Sequence, residues 1–275
     1  MSALRRAVPS AALAIVGLLW LIPTLGLFVT GLRPQAASST TGWWRAILEP
    51  SQLTLDNFRA IFTSEFFIRS IVNTVLITVP STVLVLLVAA LAAYAFAWVA
   101  FPGRDAAFIA VVGMIVVPLQ IALIPIARLY GTIGIFGSIA GVVAFHVAFG
   151  LPFAVFLLRN FFAGIPRELL EAARLDGASE RQIFTRVMLP LGRPAIASLA
   201  IFQFLWVWND LLVALVFART SSAPITVAIQ QQLRQFGGNL DIISAASFVS
   251  MVIPLLVFFA FQRSFAQGLL AGSVK

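Results

Sequence analysis

The sequence predicts an all-α, multi-pass membrane protein with six transmembrane helices, and three observations carry that reading. The 275 residues are 61% hydrophobic and 10% charged, against roughly 25% charged in an ordinary soluble domain. A surface so poor in charge must largely face lipid. The apolar residues gather into six runs, at about 11–32, 70–99, 106–126, 139–158, 195–217 and 244–261. Each is near the ~20 residues that cross a bilayer as a helix. Between the fourth and fifth runs lies a polar stretch, Glu171–Pro190 (EAARLDGASERQIFTRVMLP). The whole chain, 1–275, reads as a single transmembrane domain.

The first run follows Arg5 and Arg6 and precedes Ala36-Ala37-Ser38, as a secretory signal would. Its apolar core exceeds the ~7–15 residues of a signal, so it is read as an uncleaved span. Pro118 and Pro125 in the third run, and Pro152 in the fourth, can kink or break a helix. Gly137–Gly141 is a G-x-x-x-G pattern suited to close helix packing. Thr54 ahead of Leu55–Phe62 reads as the cap of a short amphipathic surface helix.

Orientation follows from Lys and Arg. With the N-terminus inside, 11 of the 18 basic residues fall on the inner side, the expected positive-inside bias. Both termini and loop 159–194, with its six arginines, then lie in the cytoplasm. Loops 33–69 and 218–243 lie outside. The net charge of +8 sits mostly at segment ends. It is read as orientation and headgroup contact, not nucleic-acid binding.

Several chemistries are excluded. Cysteine is absent, so disulfides, thiol catalysis and Cys-ligated metal sites are out. No G-x-x-x-x-G-K-[ST] occurs, and the single lysine is Lys275. A phosphate-cradling loop needs that lysine, so ATP-driven work requires a partner. One histidine and no paired intramembrane carboxylates leave nothing for acid–base catalysis.

The 159–194 loop carries the signals of two short helices. Pro166 suits a first helical position and Glu168 the first turn. Gly177 can close the first helix in the left-handed region. Ser179 and Gln182 form a capping box for the second, and Pro190 is expected to end it. Ile183, Phe184, Val187 and Met188 share a face, with Arg181 and Arg186 pointing elsewhere. Ala172 and Ala173 offer a smooth surface for close approach. A hairpin this polar between two spans calls for a soluble partner. Tethering at both ends argues against a DNA-binding motif.

Polar groups within spans are costly and face a bundle interior or a cavity. The candidates are Asn73, Tyr94, Gln120, His146, Gln203, Asn209 and Asp210, with Trp206 and Trp208 beside the last pair. Aromatic platforms with amides and a carboxylate suit a sugar passage. Residue by residue, interhelical bonding worth ~0.6 kcal/mol is the stronger reading. Asn209 and Asp210 would lie about 21–22 Å along the fifth run, where a carboxylate must be hydrated or paired.

Glu171-Ala172-Ala173, three residues, Gly177, nine residues, then Val187-Met188-Leu189-Pro190 resembles the EAA loop of bacterial ABC importer permeases. Val187 stands where the pattern has Ile. Phe101-Pro102-Gly103-Arg104, Trp208-Asn209-Asp210 and the ending Gly268–Lys275 extend the likeness over nearly the whole chain. Together they resemble the MalG-like permease subunits of carbohydrate importers. Gly42-Trp43-Trp44 and Phe204–Phe217 are more similar to α-glucoside permeases than to glycerol-phosphate ones.

The resemblance implies a type I ABC importer permease fold in the bacterial inner membrane. It implies a homologous second permease, two copies of a cytoplasmic ATPase that use ATP and Mg, and an external sugar-binding protein. The substrate would be a di- or oligosaccharide or an α-glucoside. Glu171, Ala172, Ala173, Asp176, Gly177, Leu189, Pro190 and the C-terminal Lys275 would meet the ATPase. The loop with Gln230, Gln231, Gln232, Gly237 and Gly238 would meet the binding protein. Two alternatives stay open: a permease for amino acids or peptides, and an ion-coupled secondary transporter. For the latter Asp210 is the one coupling carboxylate available.

Overall fold

The computed structural model describes residues 2–236 and 238–271, with side chains over 9–233 and 238–262. Gly237 and Lys275, both expected at partner contacts, lie outside the described residues. The helices in chain order are α1 (Ser2–Gly31), α2 (Gln35–Thr40), α3 (Arg45–Leu48), α4 (Asp56–Thr63) and α5 (Glu65–Trp98). Next come α6 (Arg104–Met114), α7 (Leu119–Ile133), α8 (Ile139–Ala163), α9 (Arg167–Leu175) and α10 (Glu180–Ile183). The last are α11 (Leu189–Trp208), α12 (Leu212–Phe217), α13 (Ile225–Phe236) and α14 (Leu240–Ala271).

Among the described residues, five helical stretches are long and apolar enough to cross a membrane. They are Pro9–Gly31, Glu65–Trp98, Ile139–Ala163, Glu180–Trp208 and Leu240–Gln262. A sixth crossing exists if α6 and α7 count as one span, but they meet at 99°. The third apolar run, expected over 106–126, is thus broken, and at one of the prolines that the sequence marks as able to break it. Pro118 stands in extended conformation (ψ 127°) just before α7. It biases Val117 away from helix and supplies no N–H of its own. Pro125, by contrast, sits inside α7 without ending it.

The fifth run also departs from expectation. Pro190 does not end a helix. α10 runs through a π turn, Phe184–Met188, straight into α11, with Pro190 in the first turn of α11. In the π turn the Leu189 amide reaches back to the Phe184 carbonyl. The missing N–H of Pro190 costs little at that position. At the far end α11 stops at Trp208, and the chain resumes as α12 after three non-helical residues.

The chain divides into two compact units. The first comprises residues 1–71 and 225–253. Its core holds Ile61, Phe67, Ile225, Ala228, Ala245 and Ala246. Gly31 is required where α1 meets α14, since a Cβ there would lie 2.9 Å from the Ala245 Cα. Arg33 is buried at 1% exposure. Its guanidinium donates to the Gln52 side chain at 2.8 Å, to the carbonyls of Thr41 and Ala37, and to the Thr41 hydroxyl. Asn57 donates to the carbonyls of Gly31 and Arg33. The segment after α1 is thus held by polar side chains as well as by Trp43 packed against Gly26 of α1. Thr54 is not the cap of α4, which starts at Asp56; its hydroxyl accepts instead from the Asp56 amide.

The second unit comprises residues 72–224 and 254–275. α8 is its axis, with α6, α11 and α12 packed against it. A continuous core joins Val85, Ala89, Tyr94, Leu158, Phe162, Leu170, Ile183, Met188 and Leu199. Gly192 lets α11 approach Phe162, because a Cβ there would lie 2.6 Å from the ring. The Trp98 indole N–H donates to the Phe162 carbonyl at 3.0 Å. A second cluster sets Phe145 and Phe217 against Tyr130 and Val142. The G-x-x-x-G glycines serve a turn here: Gly137 has φ +81°, and its amide donates to the Phe217 carbonyl.

Candidate coupling hairpin and passage residues

The polar hairpin is built as its local chemistry dictates. α9 follows Pro166, which stands just outside the helix and not at its first residue. Leu170 is fully buried. Ala173 is partly buried against the same core, whereas Ala172 and Glu171 are exposed. Glu171 pairs with Arg167 at 3.0 Å, both side chains more than half exposed. Gly177 has φ +78° with open space around it. Left-handed backbone, not crowding, is what demands glycine there. The capping box is complete: Ser179 accepts from the Gln182 amide, and the Gln182 side chain accepts from the Ser179 amide. Ile183 and Met188 are buried and Arg181 and Arg186 are exposed, matching the expected faces. Leu175 is 89% exposed at the hairpin tip. Sequence reading did not single it out. An exposed leucine is ordinary alone, but here it sits beside Ala172 and Glu171 on the one face that the core leaves free.

A second feature escaped the sequence. The Tyr94 hydroxyl, near the C-terminal end of α5, donates to the Glu180 carboxylate. The other oxygen of Glu180 accepts from Arg174 Nε at 3.0 Å. Tyr94 therefore ties α5 to the hairpin. The Glu180 carboxylate holds the Arg174 guanidinium above its ordinary pKa.

Of the polar span residues, the structure gathers four. His146 is 1% exposed, and its Nε2 lies 3.6 Å from Asp210 Oδ2. Its ring meets the Trp206 indole edge-on at 5.3 Å. Gln203, 5% exposed, lies against Gly150, where a Cβ would come within 2.8 Å of the amide. The Gln203 Nε2 and the His146 Nδ1 are buried without a hydrogen-bond partner. Phe149, Gly150, Phe153, Leu199, Phe202, Gln203 and Trp206 line an open groove of about 280 Å³. Asp210 borders a separate small cavity with Thr74, Thr78 and His146. Its carboxylate accepts from the Val213 and Ala214 amides at 3.2 and 3.0 Å, opening α12.

The other three stand apart. Asn73 donates to the carbonyls of Ser221 and Ala223 at 3.0 and 3.1 Å, a staple between α5 and the turn after α12. Gln120 is exposed in the first turn of α7. Asn209 donates to the Leu205 carbonyl and closes its own helix. Gln230, Gln231 and Gln232 are half-buried on α13, in the other unit, with Gly238 following that helix.

Long apolar helices, a polar hairpin fused to a span and an aromatic groove define the protein as a multi-pass membrane transport subunit. The chain belongs to the family of binding-protein-dependent transport system inner membrane components, whose model matches residues 1–270. It is 45% identical over 269 residues to the osmoprotective compounds uptake permease protein GgtD of Synechocystis sp., covering 96% of this chain and 90% of that one. It is 49% identical over 233 residues to the alpha-glucoside transport system permease protein AglG of Rhizobium meliloti, covering 82% of this chain and 61% of the relative. The trehalose transport system permease protein SugB of Mycobacterium tuberculosis is 35% identical over 259 residues, 93% of this chain and 92% of that one. Among solved structures, a bacterial ABC transporter involved in the import of the acidic polysaccharide alginate superposes with a TM-score of 0.80. The identity is 23%, and the match covers 94% of this chain and 95% of that one. That likeness establishes the ABC importer permease fold.

Proposed function

We propose that this chain is a permease subunit of an ATP-driven sugar importer. It forms the passage with a second, homologous permease and is coupled to two cytoplasmic ATPase subunits through α9 and α10. The observation that carries the reading is the hairpin itself, solvent-facing at Glu171, Ala172 and Leu175 and continuous with a membrane span at its other end. A chain without a phosphate-binding loop has to receive the work of ATP from outside, and this hairpin is built to receive it. Asp176, Gly177, Leu189 and Pro190 shape the hairpin and its exit into α11 rather than touching the partner. The hairpin lies in the cytoplasm with both termini, and α13 with the Gln230–Gln232 segment faces an external binding protein.

The substrate is a sugar of the α-glucoside or short-oligosaccharide class. Relatives named for alpha-glucoside, trehalose and arabinooligosaccharide transport support this, as does a groove walled by Trp206, Phe202 and Phe153 with one buried amide. Trp206 and Gln203 face the passage, while His146 and Asp210 hold its wall. Amino-acid or peptide import and ion coupling have no comparable support. Co-expression with its partner permease and ATPase, reconstitution into vesicles with the binding protein, and uptake of labelled trehalose and maltose test the reading. ATP-dependent uptake of either sugar is expected. Import restricted to amino acids or peptides would overturn it.

A further inference from the structure

We propose that Glu180 is the joint that makes the coupling hairpin and two membrane spans move as one body, with Tyr94 and Arg174 as its positioning residues. The inference rests on the importer reading above and extends it to a specific contact.

One carboxylate serves three elements. Its residue opens α10, which continues into α11. One oxygen accepts from Tyr94 of α5, and the other from Arg174 of α9. Arg174 thus clasps the two arms of the hairpin, and Tyr94 clasps the hairpin to the span beside it. Simpler readings explain less. An exposed Arg–Glu pair contributes little to stability, and Arg174 and Glu180 are 38% and 53% exposed. A glutamate in a first helical turn favours the helix dipole, but that needs neither a tyrosine nor an arginine. The Tyr94 ring is buried against Phe184 at 5.3 Å, and a phenylalanine would fill that space equally well. Packing leaves the hydroxyl unexplained, and its partner explains it. Hydrogen bonds to a charged group are the stronger kind, and the arm from the buried Tyr94 is of that kind. The backbone connection between α9 and α10 is the turn around Gly177. Without the joint, a push on α9 could be absorbed at that turn.

The test is the number of sugar molecules imported per ATP hydrolysed by the reconstituted complex. Tyr94→Phe and Glu180→Gln should each lower that ratio by about tenfold or more, the value of a hydrogen bond to a charged group. The double variant should fall no further than the lower single one. Unchanged ratios, or losses that multiply in the double variant, would overturn the joint. Failure of Tyr94→Phe to assemble with the ATPase would also overturn it, in favour of a folding role. A wild-type complex that hydrolyses ATP but imports no sugar would sink the importer reading and this one with it.

Discussion

His146 Nε2 faces Asp210 Oδ2 at 3.6 Å, and the same oxygen accepts the Ala214 amide. The carboxylate is spent on protein groups: two amides on one side, an imidazole on the other. Its side chain is 12% exposed. These contacts make Asp210 the acceptor that starts α12.

For that reason Asp210→Asn should lower the maximal uptake rate while leaving the sugar concentration for half-maximal uptake within about twofold. Asp210→Ala removes a helix-start acceptor worth about 1 kcal/mol, and the purified complex should melt lower. Uptake against sugar concentration checks the first part. Full recovery of Asp210→Asn at high sugar would reassign the residue to substrate contact.

Trp206 is 40% exposed beside the Gln203 amide. Trp206→Ala should raise the half-saturating sugar concentration about fivefold to tenfold, from ~1 kcal/mol of lost aromatic contact. A reduced maximal rate with unchanged half-saturation would place the indole outside the passage.

The exposed face of α9 should behave as a docking surface. Leu175→Asp and Glu171→Gln should leave the melting temperature of the permease pair unchanged, since an exposed pair such as Arg167–Glu171 is worth under about 1 kcal/mol. Both should reduce the ATPase recovered on co-purification. Undiminished recovery in both would remove α9 from the ATPase contact. Ala173→Arg is a poor probe of docking, because Ala173 packs on the chain's own core.

Gly177 separates backbone strain from contact. Its φ is +78°, and no atom lies near its missing Cβ. Gly177→Asn should retain most uptake, because asparagine tolerates the left-handed region. Gly177→Val, β-branched, should lose it. Equal behaviour of the two would show that conformation is not what the position requires.

Topology can be read with single cysteines, since the chain has none of its own. Ser179 carries the capping box, so Arg181, exposed two residues on, is the better inner reporter. Arg181→Cys should react only with reagents that enter the cytoplasm, and Ser221→Cys with impermeant ones from outside. Outside labelling at position 181 would invert the arrangement.

The sequence carried those features that local chemistry decides. Ser179 with Gln182, and Gly177, are read from three or four neighbouring residues, and the structure has them as expected. Proline was less legible because its effect depends on what precedes it. Pro118 breaks a span, whereas Pro190 sits harmlessly in a first turn after a π turn that no pattern announces. Among the polar span residues, Asn73 and Asn209 turned out to serve backbone carbonyls and Gln120 to be exposed, while His146, Gln203, Trp206 and Asp210 converge. Residue type alone cannot separate these, since each fits either role. The Tyr94–Glu180 contact spans 86 positions, and nothing local to either residue points to the other.

The unbroken helical stretch Glu180–Trp208 has a mechanical consequence. Its 29 residues make a rod of about 42 Å at ~1.5 Å per residue, against a hydrocarbon core of ~30 Å. It reaches from the water to the groove wall. A tilt of about 10°, smaller than the ~15° of known subunit rotations, would sweep one end through about 7 Å relative to the other. That exceeds half the diameter of a helix with its side chains. A modest turn of the hairpin end is thus geared into a displacement of about 7 Å at the Trp206 end.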